Sequence, residues 1–257
     1  MSIPVQYALL SLALFVGMLI CLELGRRLGA ARRAAEGGDG GIGAVDGAVF
    51  GLLGLLLAFT FSGAADRFDS RRELIVQEAN AIGTAWLRLD LLSPDARETL
   101  RAKFRDYLDS RLLVYRKVPD LAAVQAELRR SGELQAEIWT LAISATRAEG
   151  SPPQMLLLPA LNEMFDITTT RTAAAFRHPP AVVFAMLAGL CLLSALLAGF
   201  GMPSRAAAAR PWLHMGAYAL VMSVAFFVIM NLEYPRLGLI RVDMADQVLV
   251  DLRAGMK

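Results

Sequence analysis

Four stretches free of Asp, Glu, Lys and Arg constrain this chain more than any other feature: residues 1–22, 47–65, 178–204 and 211–232. Each is about as long as the roughly 18–20 apolar residues that a helix needs to cross the hydrocarbon core of a bilayer. Backbone polar groups in lipid must be satisfied internally, so stretches of this kind fold as helices and not as open strands. Composition points the same way. The chain is 56% hydrophobic and has a mean hydropathy of +0.47, too apolar for an ordinary soluble domain. The expected class is an all-α integral membrane protein with four transmembrane helices.

The first stretch has no basic n-region and no obvious small-x-small cleavage site, so it is expected to be a span and not a cleavable signal. Its basic residues come afterwards, at Arg26, Arg27, Arg32 and Arg33. A net charge of +2 implies no nucleic-acid partner. Cys21 and Cys191 fall in predicted spans and are expected to be buried inert thiols.

The organisation divides into four parts. Residues 1–65 hold spans 1 (Val5 to about Leu24) and 2, joined by a glycine-rich linker at 36–47. Residues 66–177 form the only sizeable polar block, and no window in it alternates like a strand. Ser93-Pro94 is a helix-start signal, and Leu100, Phe104, Leu108, Leu112 and Tyr115 follow at helical spacing. A further helix carries Leu121, Val124, Leu128, Leu134, Ile138, Leu141 and Ala145, with a kink signal at Ser131-Gly132. The segment from Gln154 to Arg177 supplies another, with Leu158, Leu161, Phe165 and Thr168 on one face. A four-helix bundle continuous with span 2 is the simplest packing. Residues 178–232 hold spans 3 and 4, and 233–257 an amphipathic tail that could dock on the bundle or the interface. Gly54, Ala58, Gly189, Ala195 and Gly199 are candidates for close helix packing.

No catalytic constellation is present. His178 and His214 flank spans and share no metal-ligand spacing with the cysteines or each other. The glycines of 37–43 match no phosphate loop. The expectation is a non-enzymatic protein without metal or cofactor.

The functional signal lies where span 2 meets the polar block, in "LLLAFTFSGAADRFDSRRELI", Leu55 to Ile75. No proline separates the apolar half from the charged half. If one helix runs through both, steps of three and four residues place Leu55, Phe59, Ser62, Asp66, Asp69, Glu73, Gln77, Asn80 and Thr84 on one face. At 1.5 Å per residue, Gly51 to Leu91 covers about 60 Å, twice the hydrocarbon thickness. Another face carries Arg67, Leu74, Ala81 and Arg88, and is expected to pack and pair in the bundle. In a ring of subunits, Leu55 and Phe59 would form a hydrophobic constriction, and Asp66, Asp69 and Glu73 would attract cations in a vestibule. The competing reading is a polar face in bulk solvent, with Arg67 and Arg72 in ordinary surface ion pairs.

The same stretch resembles the bestrophin signature, through Phe59, Ser62, Arg67, Phe68, Arg72 and Leu74. The whole chain is similar to the bacterial bestrophin-like family, including its ending "LEYPRLGLIRV", Leu232 to Val242. The resemblance implies a bestrophin-like fold and a pentameric ion channel whose second span lines the pore. It implies a neck of three rings at Gly51, Leu55 and Phe59, and the helical stripe then places Ser62, Asp66, Asp69, Glu73, Gln77 and Asn80 along the vestibule beyond it. Three positions depart from the bestrophin pattern. Gly51 replaces a bulky neck residue and would widen that ring or shift the seal to Leu52 or Leu56. Thr60 replaces an arginine, and Ser70 a glutamate. With the acidic stripe, these departures favour cations over anions. The expected partners are copies of the same chain, the lipid bilayer and small ions. The rival class is a non-conducting membrane scaffold or sensor whose helical domain binds a partner or ligand.

The expected location is the bacterial cytoplasmic membrane. Sidedness divides the signals. The short loops carry Arg26, Arg27, Arg32, Arg33, Arg205 and Arg210, which places them inside and the helical domain outside. The bestrophin resemblance implies a cytosolic domain.

Overall fold

The computed structural model describes residues 3–36, 43–149, 151–202 and 211–257. Eight α-helices account for most of them, and no strand occurs among the described residues. In order they are α1 (Ile3–Glu36), α2 (Ala44–Arg88), α3 (Pro94–Arg116), α4 (Leu121–Glu149), α5 (Ser151–Phe176), α6 (Ala181–Gly201), α7 (Pro211–Glu233) and α8 (Gln247–Gly255). A 3-10 turn, Leu89–Leu91, follows α2. Four helical stretches among the described residues are long and apolar enough to cross a membrane, and each covers most of one of the four charge-free runs. The glycine-rich linker and the segment joining spans 3 and 4 fall largely on 37–42 and 203–210, outside the described residues.

The chain divides into two compact units. The first comprises Met1–Arg67 and His178–Ile240. In it α1 packs along α6 and α7. The α1–α6 contact depends on missing side chains. A Cβ on Gly25 would lie 2.0 Å from the Leu196 carbonyl oxygen, and one on Gly199 would lie 2.1 Å from that of Leu22. Gly29 is as tightly placed, 2.3 Å from the Phe200 carbonyl oxygen. Gly25 and Gly29 form a small-xxx-small pair, and close backbone approach of this kind supplies dispersion energy that lipid cannot provide between helices. Of the small residues expected to pack, Gly199 and the buried Ala195 do so. Gly54 and Gly189 face open space, and Ala58 is exposed. Between α6 and α7, Ser194 Oγ and Tyr218 OH share a hydrogen bond of 2.8 Å. Cys191 is buried, Cys21 is half-buried, and both are free thiols.

Helix α1 continues well past the expected end of span 1 at Leu24. Arg26 and Arg27 reach back to Glu23 at 2.8 and 2.7 Å, three and four residues earlier. Such pairs support a helix after its apolar stretch has ended.

The second unit comprises Phe68–Arg177 and Arg241–Lys257. It contains the charged half of α2 together with α3, α4, α5 and α8. Ile75, Ile82, Trp86, Leu89, Leu100, Phe104, Leu108, Ile138, Leu157, Leu161 and Met164 form its core. Helix α3 starts at Pro94 as the Ser93-Pro94 signal predicts, but the Ser93 side chain makes no cap bond. Instead the Ser93 backbone N–H donates to Glu149 Oε1 at 3.0 Å. Helix α4 runs unbroken through Ser131-Gly132, and α5 begins at Ser151, three residues before the expected start. The later part of the tail, Arg241–Lys257, docks in this unit. Leu249 is fully buried, and Arg253 grips Asp109 through two bonds of 2.8 and 2.9 Å.

Candidate functional site

The 45 residues of α2 form one unbroken helix, about 68 Å long at the standard rise. Its membrane half is the least covered of the four spans. Only 11% of its most apolar window is buried within the chain, against 22–33% for the other three. Leu53 and Ala64 mark the side that packs inward. Leu55 and Phe59 lie on the outward side, 52% and 67% exposed. Gly51, Ser62 and Asp66 are exposed as well, and a Cβ on Gly51 would meet nothing within 4 Å. Thr60 returns its hydroxyl to its own helix, donating to the carbonyls of Leu56 and Leu57 at 2.7 and 3.0 Å.

Arg67 closes this half of the helix. Its Nε donates to Glu233 Oε1 at 2.7 Å, and Glu233 is fully buried at the end of α7. His178 Nδ1 stands 3.6 Å from Glu233 Oε2, and the His178 ring stacks on Tyr234 at 4.4 Å. Tyr234 also contacts Tyr7 of α1 at 5.1 Å. The sequence-based expectation paired Arg67 inside the bundle. Its partner is instead in the "LEYPRLGLIRV" ending, because a carboxylate buried at a helix end needs a cation within reach.

In the second unit the stripe continues with Asp69, Glu73, Gln77 and Asn80, all exposed. Gln77 Nε2 donates to Glu73 Oε1 at 3.0 Å. Arg72 reaches Asp69 at 3.4 Å with both side chains well exposed, 57% and 72%, so that pair contributes little. A groove of 730 Å³ separates Gln77 and Asn80 from Asn162, Glu163, Asp166 and Thr170 of α5. The Thr84 end of the stripe is half-buried.

The opposite side of α2 carries a feature that hydrophobic periodicity does not reveal. Glu78 sits between Ile75 and Ile82, and all three are buried. Arg111 Nε donates to Glu78 Oε1 at 2.6 Å, while Arg171 Nη1 donates to Oε2. The second arm of Arg171 donates to Asp246 Oδ1 at 2.9 Å, and the Arg171 guanidinium lies 3.9 Å over the Tyr115 ring. Burial opposes the charge on Glu78, but Arg111 and Arg171 outweigh it and hold the carboxyl below the usual glutamate range. The network binds α2, α3, α5 and the segment before α8 into one unit. Nearby, Arg71 Nη2 donates to the Arg177 carbonyl at 2.8 Å and Nε to that of Ala174 at 3.3 Å, capping the end of α5. Arg88 Nη1 likewise donates to the Leu156 carbonyl at 2.6 Å. A carboxylate on the apolar 75–78–82 face was the one sequence sign of the Glu78 network. The Gly25-x-x-x-Gly29 spacing was the sign of the α1–α6 contact.

Among the described residues, no group of three or more His, Cys, Asp or Glu side chains is placed to hold a metal ion. A family model described as Bestrophin-like domain matches residues 12–246. The chain belongs to the bestrophin-like family. No curated protein matches it. Two crystal structures of a bacterial bestrophin homolog from Klebsiella pneumoniae, each carrying a single substitution, share the fold. One has a TM-score of 0.69 at 15% identity and covers 92% of this chain and 98% of that one. The other has a TM-score of 0.71 at 16% identity and covers 95% and 98%. A third structure, of a membrane protein, has a TM-score of 0.63 at 14% identity over 93% and 98%. Family membership and the four apolar helical stretches make this bestrophin-like chain a multi-pass membrane protein.

Proposed function

We propose that this bestrophin-like protein is an oligomeric ion channel whose pore is lined by α2. The observation that carries the reading is the stripe on that helix. A span with 11% of its apolar window buried must be covered by lipid or by other subunits. Its outward face changes once along its length, from Leu55 and Phe59 to Ser62, Asp66, Asp69 and Glu73. Lipid contact alone has no use for a run that turns polar and acidic on the same face. A ring of subunits around α2 gives each part a role. Leu55 and Phe59 narrow the path and exclude water, Gly51 leaves a wider ring beside them, and the carboxylates draw cations into the vestibule with Gln77 and Asn80. Arg67 is held aside by Glu233, and Arg72 lies against Asp69, so the exposed acidic charge exceeds the basic charge on this face. Five subunits follow from the bestrophin likeness, and the bacterial cytoplasmic membrane is the proposed location.

The test is current through planar bilayers holding the purified protein, with the subunit number measured in detergent. Wild type is expected to conduct as a ring of subunits, and Phe59→Ala to conduct more by widening the constriction. Silence of both proteins across ions, voltages and pH, or a monomer in detergent, would favour a scaffold or sensor.

A further inference from the structure

Arg67 is a cation beside the acidic stripe of α2 but not on it. It follows Asp66 directly and stands about 100° around the helix from it. Its side chain is 31% exposed, whereas that of Glu233 on α7 has no exposed surface. Arg67 Nε donates to Glu233 Oε1 at 2.7 Å, and Nη2 pairs with the same oxygen. His178 Nδ1 stands 3.6 Å from Oε2, so the carboxylate has a neighbour at each oxygen.

The seat of the guanidinium is built from a missing side chain. Gly63 lies one turn before Arg67. The three atoms nearest to a Cβ on Gly63 would all belong to that guanidinium: Nη1 at 3.1 Å, Nη2 at 3.4 Å and Cζ at 3.7 Å. The two ends of the pair are not equivalent. A carboxylate shut off from water needs its partner, but a partly exposed guanidinium on a long stem can be hydrated instead. Without Glu233, Arg67 is free to swing toward its neighbour Asp66. Within about 8 Å, one Debye length at physiological salt, its charge is felt by an ion beside that carboxylate.

We infer that Glu233, on a helix that does not line the pore, is a positioning residue for ion selectivity. By holding the Arg67 guanidinium over Gly63, it keeps one positive charge per subunit off the Asp66 part of the stripe. The inference rests on the channel reading above and adds a residue that the stripe does not contain. Two changes should undo the arrangement by different routes. Glu233→Leu removes the partner and leaves no buried charge behind. Gly63→Leu keeps the partner, fills the seat and raises helix propensity in α2.

The experiment is the potassium-to-chloride permeability ratio, read from reversal potentials under a salt gradient, for variants that run as the wild-type oligomer on size exclusion. A unit charge about 8 Å away in water changes an ion's energy by about the thermal energy, so Glu233→Leu and Gly63→Leu should each lower the ratio about twofold or more. Adding Arg67→Leu to either should return the ratio to the wild-type value. A purely structural role for Glu233 would not be rescued by removing a second side chain. If Glu233→Leu does not fold, Gly63→Leu with and without Arg67→Leu decides. A conducting wild type whose ratio is unchanged by these variants overturns the inference and leaves the channel reading standing. A lowered ratio that Arg67→Leu does not restore also overturns it. A wild type that passes no current overturns both.

Discussion

Replacing Glu78 by Gln keeps the size of the side chain and removes the charge between two buried guanidiniums. Arg111 is fully buried and Arg171 is 4% exposed, so neither can recover much hydration by moving. Removing one partner of a buried pair costs about 3–5 kcal/mol. At about 1.36 kcal/mol per factor of ten, the folded-to-unfolded ratio falls by roughly two to nearly four powers of ten. Arg72→Ala, which breaks the exposed pair with Asp69, should change stability by no more than about 0.5 kcal/mol. Trp86 and Trp139 lie in the helical unit, against its core, so their fluorescence in a Trp212→Phe background can follow denaturant unfolding. The pH dependence has a definite sign. The folded-state pKa of Glu78 is lowered, so its stabilisation is present above the ordinary value of 4.5 and is lost as pH falls through the folded value. The gap between wild type and Glu78→Gln should therefore be full at neutral pH and shrink on acidification below 4.5. A loss under about 1 kcal/mol at pH 7, or a gap that widens in acid, would refute the reasoning.

Other outcomes follow from the same structure. Gly199→Leu should abolish correctly folded, monodisperse protein on size exclusion, because its Cβ would overlap the Leu22 carbonyl, whereas Gly189→Leu, with open space around it, should behave as wild type. Neutralising Asp66, Asp69 and Glu73 together should shift the reversal potential toward anions under a salt gradient, and no shift would remove the stripe from the conduction path. A topology reporter fused at Lys257 should report an extracytoplasmic C-terminus if the arginines of the short loops set orientation, and cytosolic reporter activity would contradict that count.

The spans and the long second helix are legible because hydrocarbon thickness and backbone satisfaction leave few alternatives to an apolar run. The bundle's packing faces are less so, because its buried positions are not all apolar. Leu100, Phe104 and Leu108 of α3 are buried as the spacing predicts, but Tyr107, Ser110 and Arg111 share that burial while Leu112 and Tyr115 are only half-buried. In α4, Glu127 and Ser131 are buried beside Leu134 and Ile138. In α5 the buried row runs through Leu157, Leu161, Met164, Thr168 and Arg171; Leu161 and Thr168 lie on it as the spacing predicts, while Leu158 and Phe165 are only half-buried. Polar side chains that satisfy one another occupy core positions, and a hydrophobic pattern is blind to them. Arg67 shows the same limit at long range, since its partner Glu233 is 166 residues away.

The central claim, that one face of α2 lines an ion path, is tested most directly by cysteine accessibility during conduction. Ser62 lies on the stripe. Phe61 is also exposed, at 46%, but lies about 200° around the helix from Phe59 at 100° per residue. In a background with Cys21 and Cys191 replaced, a charged thiol reagent should block current through Ser62→Cys and leave Phe61→Cys unaffected. Block at Phe61→Cys with none at Ser62→Cys would contradict the account.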